Sequence, residues 1–265
     1  MTQSSNSNNN TKNVFNHQFE GYSVWLEPCQ DEALQIIQEM NVLSTTCGGQ
    51  KRGTHPFALH CTLLYNFNPI MLDNSKYNDC SDYGSDVLDK ISDDYEQDNR
   101  SSLYKDIGSK LLHQCVDQYN QTLQQNNKVI PTTHLELNPT DFYFFSYPKE
   151  ADNNRGFGCV ISMLLLEKNH NLEHLHNIVS KVFPLDERHG RKDETHESKN
   201  EAFRPHMALV YAPEIYHDSL KQYTEETLKI SKSHLLKPIK AKYLSLWSTK
   251  GTLKDWKLIA RVGLD

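Results

Sequence analysis

The sequence lacks long apolar runs, paired cysteines and any basic stripe, and each shortage excludes a class of protein. Its longest apolar stretch, Cys159–Leu166 (CVISMLLL), falls far below the ~20 residues of a membrane-crossing helix. The opening MTQSSNSNNNTKN has no apolar segment of the kind a secretory signal carries. No membrane partner is therefore expected, and a cytoplasmic location is, with the nucleus as the alternative. Six cysteines (29, 47, 61, 80, 115 and 159) form no C-x-x-C and no histidine-paired spacing, which excludes the common zinc modules and leaves reduced thiols. No metal and no cofactor are expected. With 11 glycines and 10 prolines the chain is neither collagen-like nor a linker. Residues 73–100 hold nine acidic and three basic residues, which accounts for the whole net charge of −6. The aspartates there lack the glycine and glutamate positions of an EF-hand loop. The remainder is neutral, so a long nucleic acid has no track to follow. A small anion is the partner left open.

What is present is a core-forming chain of 265 residues, 37% hydrophobic and 10% aromatic. The Asn/Ser-rich residues 1–18 are expected to be a disordered tail, and residues 19–265 one two-lobed, monomeric domain. Strand patterns cover 21–27, 57–67, 134–138, 142–147, 157–167 and 203–212, and a closing hairpin covers 240–247 and 255–262. Helical spacing covers 31–43, 103–125 and 171–183, and a further helix runs from Glu214 to about Ser231 behind Pro213. The acidic segment 73–100 and the polar segment 186–201 read as insertions on the surface. The order is β-α-β-α-ββ, twice. It predicts an α+β fold of two pseudo-symmetric antiparallel-sheet lobes, about 19–147 and 156–265, with outer helices and a central cleft.

The repeat extends to residues. Phe57-Ala-Leu-His60-Cys-Thr62-Leu63-Leu-Tyr65 and Phe203-Arg-Pro-His206-Met-Ala208-Leu209-Val-Tyr211 share four identities in nine positions, at matching places in the two halves. Two core strands resemble each other in their Leu and Tyr because both are apolar, but a shared histidine is costly to bury without a partner. Alternation puts His60 and Thr62 on one face of the first strand and His206 and Ala208 on one face of the second, with Cys61, Leu63 and Tyr65 turned away. Two imidazoles converging on a cleft supply a general base and a general acid, since each titrates near pH 6.5. A hydroxyl two residues on donates to a phosphate oxygen. That set suffices for metal-free hydrolysis of a phosphodiester.

Paired H-x-[ST]-hydrophobic motifs, one per half, resemble those of the two-histidine phosphoesterase superfamily. Tyr22-Ser-Val-Trp25, Phe157-Gly-Cys-Val160 and Pro205-His206-Met-Ala-Leu-Val-Tyr211-Ala212 are similar to its cyclic phosphodiesterase branch of plants and fungi. The resemblance covers about 20–70 and 140–263. It implies opening of small cyclic phosphates: ADP-ribose 1″,2″-cyclic phosphate from tRNA splicing and nucleoside 2′,3′-cyclic phosphates. It implies His60 and His206 as the catalytic pair and Thr62 as a phosphate ligand, with Ala208 at the second phosphate-binding position. Trp25, Phe157 and Tyr211 match positions that stack the base, although strict alternation turns Tyr211 away from His206 unless the strand bends.

Two residues depart from the pattern: Leu59 stands where the family has proline, and Ala208 where it has Ser or Thr. Loss of that hydroxyl supports a second reading, a nucleotide-binding module without turnover. A third, an RNA-end-trimming phosphodiesterase, is disfavoured by the neutral body and the acidic insertion. Cys61 beside His60 is no nucleophile pair, because neighbours on a strand face opposite ways. Lys51, Arg52 and Arg204 precede the motifs and read as surface residues within reach of a phosphate.

Overall fold

A computed structural model describes residues 19, 21–52, 54–67, 93–126, 135–147, 159–183 and 203–264. The expected tail 1–18, the polar segment 186–201, most of the acidic segment and Phe157 lie outside the described residues. The elements are β1 Tyr22–Pro28, α1 Leu34–Thr46, β2 Cys61–Phe67, α2 Asp93–Asn126, β3 Glu136–Leu137, β4 Pro139–Tyr147, β5 Cys159–Leu166, α3 His170–Val182 and β6 His206–Pro213, then α4 His217–Gln222, α5 Lys229–Ser231, β7 Ile239–Ser248 and β8 Lys257–Gly263. One expectation changes. Asp93–Arg100, the end of the acidic segment, is the start of α2 and not loop. The helix after Pro213 runs unbroken to Ser231 as expected but is not α-helical throughout: a 3-10 turn, Glu214–Tyr216, opens it and a π-helical stretch, Tyr223–Leu228, lies between α4 and α5. There the Thr224 hydroxyl donates to the Leu220 carbonyl and accepts from buried Ser162 Oγ, a side chain competing for a backbone acceptor.

The strands form one eight-stranded sheet in the order β3-β7-β1-β2-β6-β5-β4, with β8 added to β7. Every pairing is antiparallel, and the fold is α+β. The sheet does not divide where the chain order suggested, at 147/156. β7 and β8, from the C-terminal part, extend β1, while β4, placed with the first half by sequence order, pairs with β5. Strand patterning shows which face of a strand is buried but not which neighbour it takes.

Helices pack on one face of this sheet: α1 against β6, α2 against β7 and β8, and α3 against α2 and β2. Val24, Leu26, Cys61, Leu63, Met207, Leu209, Leu244 and Leu246 point into that layer and form the main core. A smaller cluster (Cys159, Ile161, Met163, Ala208, Leu253) holds no helix residue, and it marks the other, helix-free face. None of the described helices is long and apolar enough to cross a membrane.

Where α2 meets β7 the approach needs glycine. A Cβ on Gly108 would stand 2.5 Å from Cδ2 of Leu246, itself buried in the main core. Gly108→Val is expected to destabilise the protein by about 1–3 kcal/mol through overpacking, read as a lower urea midpoint with an unchanged slope.

Candidate active site

His60 directly precedes β2 and His206 opens β6, and these two strands meet at the middle of the sheet. They are antiparallel, with Cys61 opposite Met207. That register sets Ala208 beside His60 and Thr62 beside His206, so each motif supplies the neighbour of the other motif's histidine. Each imidazole is held in the same way. His60 Nδ1 lies 2.5 Å from the Ala58 carbonyl oxygen and His206 Nδ1 lies 3.0 Å from that of Arg204. A carbonyl only accepts, so both Nδ1 atoms carry the proton and both Nε2 atoms are left free for chemistry.

Their surroundings differ. His60 is 3% exposed and stacks on Trp25, ring centres 3.5 Å apart and 8° from parallel. Phe57 and Trp256 present their rings at 5.9 and 6.4 Å. Burial is the main force that lowers the His60 pKa, to about 3; the bond to Ala58 opposes it, and charge on His206 adds to it. His60 is thus neutral at pH 7. His206 is half-buried.

Trp25, matched by the resemblance to a base-stacking position, borders a pocket beside His60. It is 1% exposed, and its ring stacks on His60 and, at 4.6 Å, on Trp247. The pocket, of about 460 Å3, is also lined by Phe57, Trp247, Trp256, His55 and Lys254 among others. Trp256 is the residue that the sequence reading missed. It joins Phe19, Trp25, Phe57 and Tyr211 in one aromatic cluster, and its indole N–H is buried without an acceptor. The signal was faint: all of the chain's three tryptophans meet here, but two arrive from the closing hairpin.

Tyr211 reaches this face through a β-bulge. Ala208 pairs with Met163 and Val210 with Ser162, so Leu209 is an extra residue in β6. Leu209 and Val210 both enter the main core, and Tyr211 is turned to the helix-free side, 5.3 Å from Phe57. β2 repeats the device. Trp25 pairs with Thr62 and Val24 with Leu64; Leu63 and Leu64 both enter the core, and Tyr65 emerges 48% exposed. Tyr65 therefore does not share a face with Cys61 and Leu63, as simple alternation required.

Cys61 points into the core, where burial raises its thiol to about 12, so it is no nucleophile. Arg204 and Lys51 are exposed. Among the described residues no three His, Cys, Asp or Glu side chains are grouped as metal ligands, and five cysteines are free.

The fold and the paired histidines define a two-histidine phosphoesterase arrangement. The sequence matches the family described as cyclic phosphodiesterase-like protein over residues 105–264, more than half of the chain, and the protein belongs to that family. The match contains the second motif; the first lies outside it and joins the second through the β2–β6 pairing. No curated protein matches the chain.

The buried imidazole makes stability depend on pH. Its folded-state pKa of about 3 lies below the 6.5 of the open chain, so between those values the unfolded state binds more protons. The stability is full above pH 6.5 and is lost as pH falls toward 3. Urea unfolding at pH 7 and pH 4 should show this loss in the wild type and much less of it in His60→Phe, which keeps a ring against Trp25.

Proposed function

We propose that the protein is a metal-independent cyclic phosphodiesterase that opens ADP-ribose 1″,2″-cyclic phosphate or nucleoside 2′,3′-cyclic phosphates by two-histidine acid–base hydrolysis. The observation that carries this reading is the pair of imidazoles tied through Nδ1 to backbone carbonyls on adjacent central strands. His60, neutral, takes a proton from water through Nε2; the oxygen attacks phosphorus, and one ring P–O bond breaks. His206, which enters the reaction with a second proton on Nε2, gives that proton to the departing ribose oxygen, and a phosphomonoester remains. Negative charge on the bound phosphate favours protonation of His60 as the reaction proceeds. Thr62 donates its hydroxyl to a phosphate oxygen. Phe57, Trp256 and Tyr211 are the rings available to the base, with Phe157 retained from the resemblance. The protein acts as a monomer in the cytoplasm on a small nucleotide.

The experiment is turnover of a 2′,3′-cyclic nucleotide with EDTA present. Activity is expected to survive the chelator, and His60→Ala and His206→Ala are each expected to lower it by ~10²-fold or more. Loss on chelation with rescue by zinc or magnesium, or near-wild-type rates in either folded variant, would overturn the mechanism.

Ala208 favours the second reading, nucleotide binding without turnover, and can be tested directly. A serine there would face the phosphate from beside His60 as Thr62 does from beside His206. Ala208→Ser is expected to raise kcat/KM, by up to the ~10-fold or more of a hydrogen bond to a charged group. It is also expected to cost about 1 kcal/mol of stability without ligand, because position 208 is 4% exposed in an apolar cluster. Binding of nucleotide with no turnover in either protein would establish the binding module instead.

A further inference from the structure

The helix-free face holds an ion pair between a buried carboxylate and an arginine open to solvent, to which the reaction assigns no role. Glu27, on the same face of β1 as Trp25, is 4% exposed. Its Oε1 accepts from Ser245 Oγ at 2.5 Å and from Trp247 Nε1 at 3.0 Å. Its Oε2 lies 2.6 Å from Arg261 Nη2, and the Arg261 guanidinium lies 5.1 Å from the centre of the Tyr243 ring. Burying a carboxylate costs more than burying an apolar side chain of the same size, and packing alone would not require it. The Trp247 indole N–H is shared between the carboxylate and Ser245 Oγ, each at 3.0 Å, and Ser245 in turn donates to Glu27, so the carboxylate is the strong acceptor that organises both donors.

Trp247 stacks on Trp25 at 4.6 Å, and Trp25 on His60 at 3.5 Å. The contacts run without a gap from Arg261 through Glu27, Trp247 and Trp25 to the imidazole. The Ala58 bond fixes Nδ1 alone and leaves the ring free to swing about that contact; the stack removes this freedom. We propose that Glu27 and Trp247 are positioning residues that set the plane and depth of the His60 ring through Trp25. The inference rests on the reading of His60 as the base only for its kinetic consequence. Besides the rings already named, His206 is the titratable group that faces His60.

Three variants separate the parts. Trp247→Phe keeps a ring and deletes the N–H; Glu27→Gln keeps an acceptor and deletes the ion pair; Glu27→Ala deletes the ion pair and the charged acceptor, leaving the indole N–H to Ser245 Oγ. On a nucleoside 2′,3′-cyclic phosphate, Trp247→Phe and Glu27→Ala are expected to lower kcat by about 10-fold with KM within about twofold, the signature of a misplaced base. Glu27→Gln should recover most of the Glu27→Ala loss and add nothing on top of Trp247→Phe. An NMR titration of the His60 ring gives a readout independent of turnover. In Trp247→Phe its midpoint is expected to rise by about half a unit or more, as looser packing admits water. If the wild type opened no cyclic phosphate, the catalytic reading would fail, while the titration would still decide the positioning role. An unmoved His60 titration in folded Trp247→Phe overturns the inference whatever kcat does. If Glu27→Ala does not fold, Trp247→Phe and Glu27→Gln carry the test.

Discussion

The site depends on one pairing, Cys61 against Met207 in the middle of the sheet. Both residues are fully buried on the helix side, and each strand is anchored there by its share of the main core. Because side chains alternate, burying this pair forces the flanking residues to the opposite face. Those flanking residues are His60, Thr62, His206 and Ala208. The hydrophobic effect thus assembles this quartet as a by-product of packing two residues that have no chemistry of their own. A slip of either strand by one residue would send its histidine into the core and leave the other behind.

The quartet was legible in the sequence because it repeats locally, within nine residues of each half. The tyrosines were not, since period-2 alternation breaks at the bulges. In hindsight the bulges have a local signature: Leu63-Leu64 and Leu209-Val210 are adjacent apolar pairs where alternation expects one apolar and one facing residue. The exchange of strands between chain halves had no such signature. Pairing of β7 with β1 is a contact across most of the chain, selected by shape and burial and not by the periodicity of either strand. Trp247, Trp256 and Glu27 were invisible for the same reason, and so was the burial of Trp25. Its aromatic ring matched a stacking position, and only the arrival of β7 showed what packs on that ring.

The two motifs present two alike histidines, yet the proposed hydrolysis needs one to accept a proton while the other donates, so their surroundings must differ. Here the difference comes from what each sheet half brings to the helix-free face. β1, β7 and β8 bring tryptophans and the buried Glu27 and Ser245, with Arg261 pairing the carboxylate from the solvent side; these seal His60, whose burial lowers its pKa. Among the described residues His206 has no comparable stack, and it stays half-buried.

The same asymmetry accounts for the hydroxyls. Position 208 is the neighbour of the sealed histidine and lies among Ile161, Met163 and Leu253, where a hydroxyl without a ligand would be a buried polar group lacking a partner. Position 62 is the neighbour of the open histidine and is half-buried, where a hydroxyl meets water until substrate arrives. Threonine on the wet side and alanine on the dry side therefore follow from one cause, the closure of the His60 half by its aromatic stack. In the proposed reaction the cost of that closure is one phosphate contact, which assigns the phosphate to Thr62 on the side of His206.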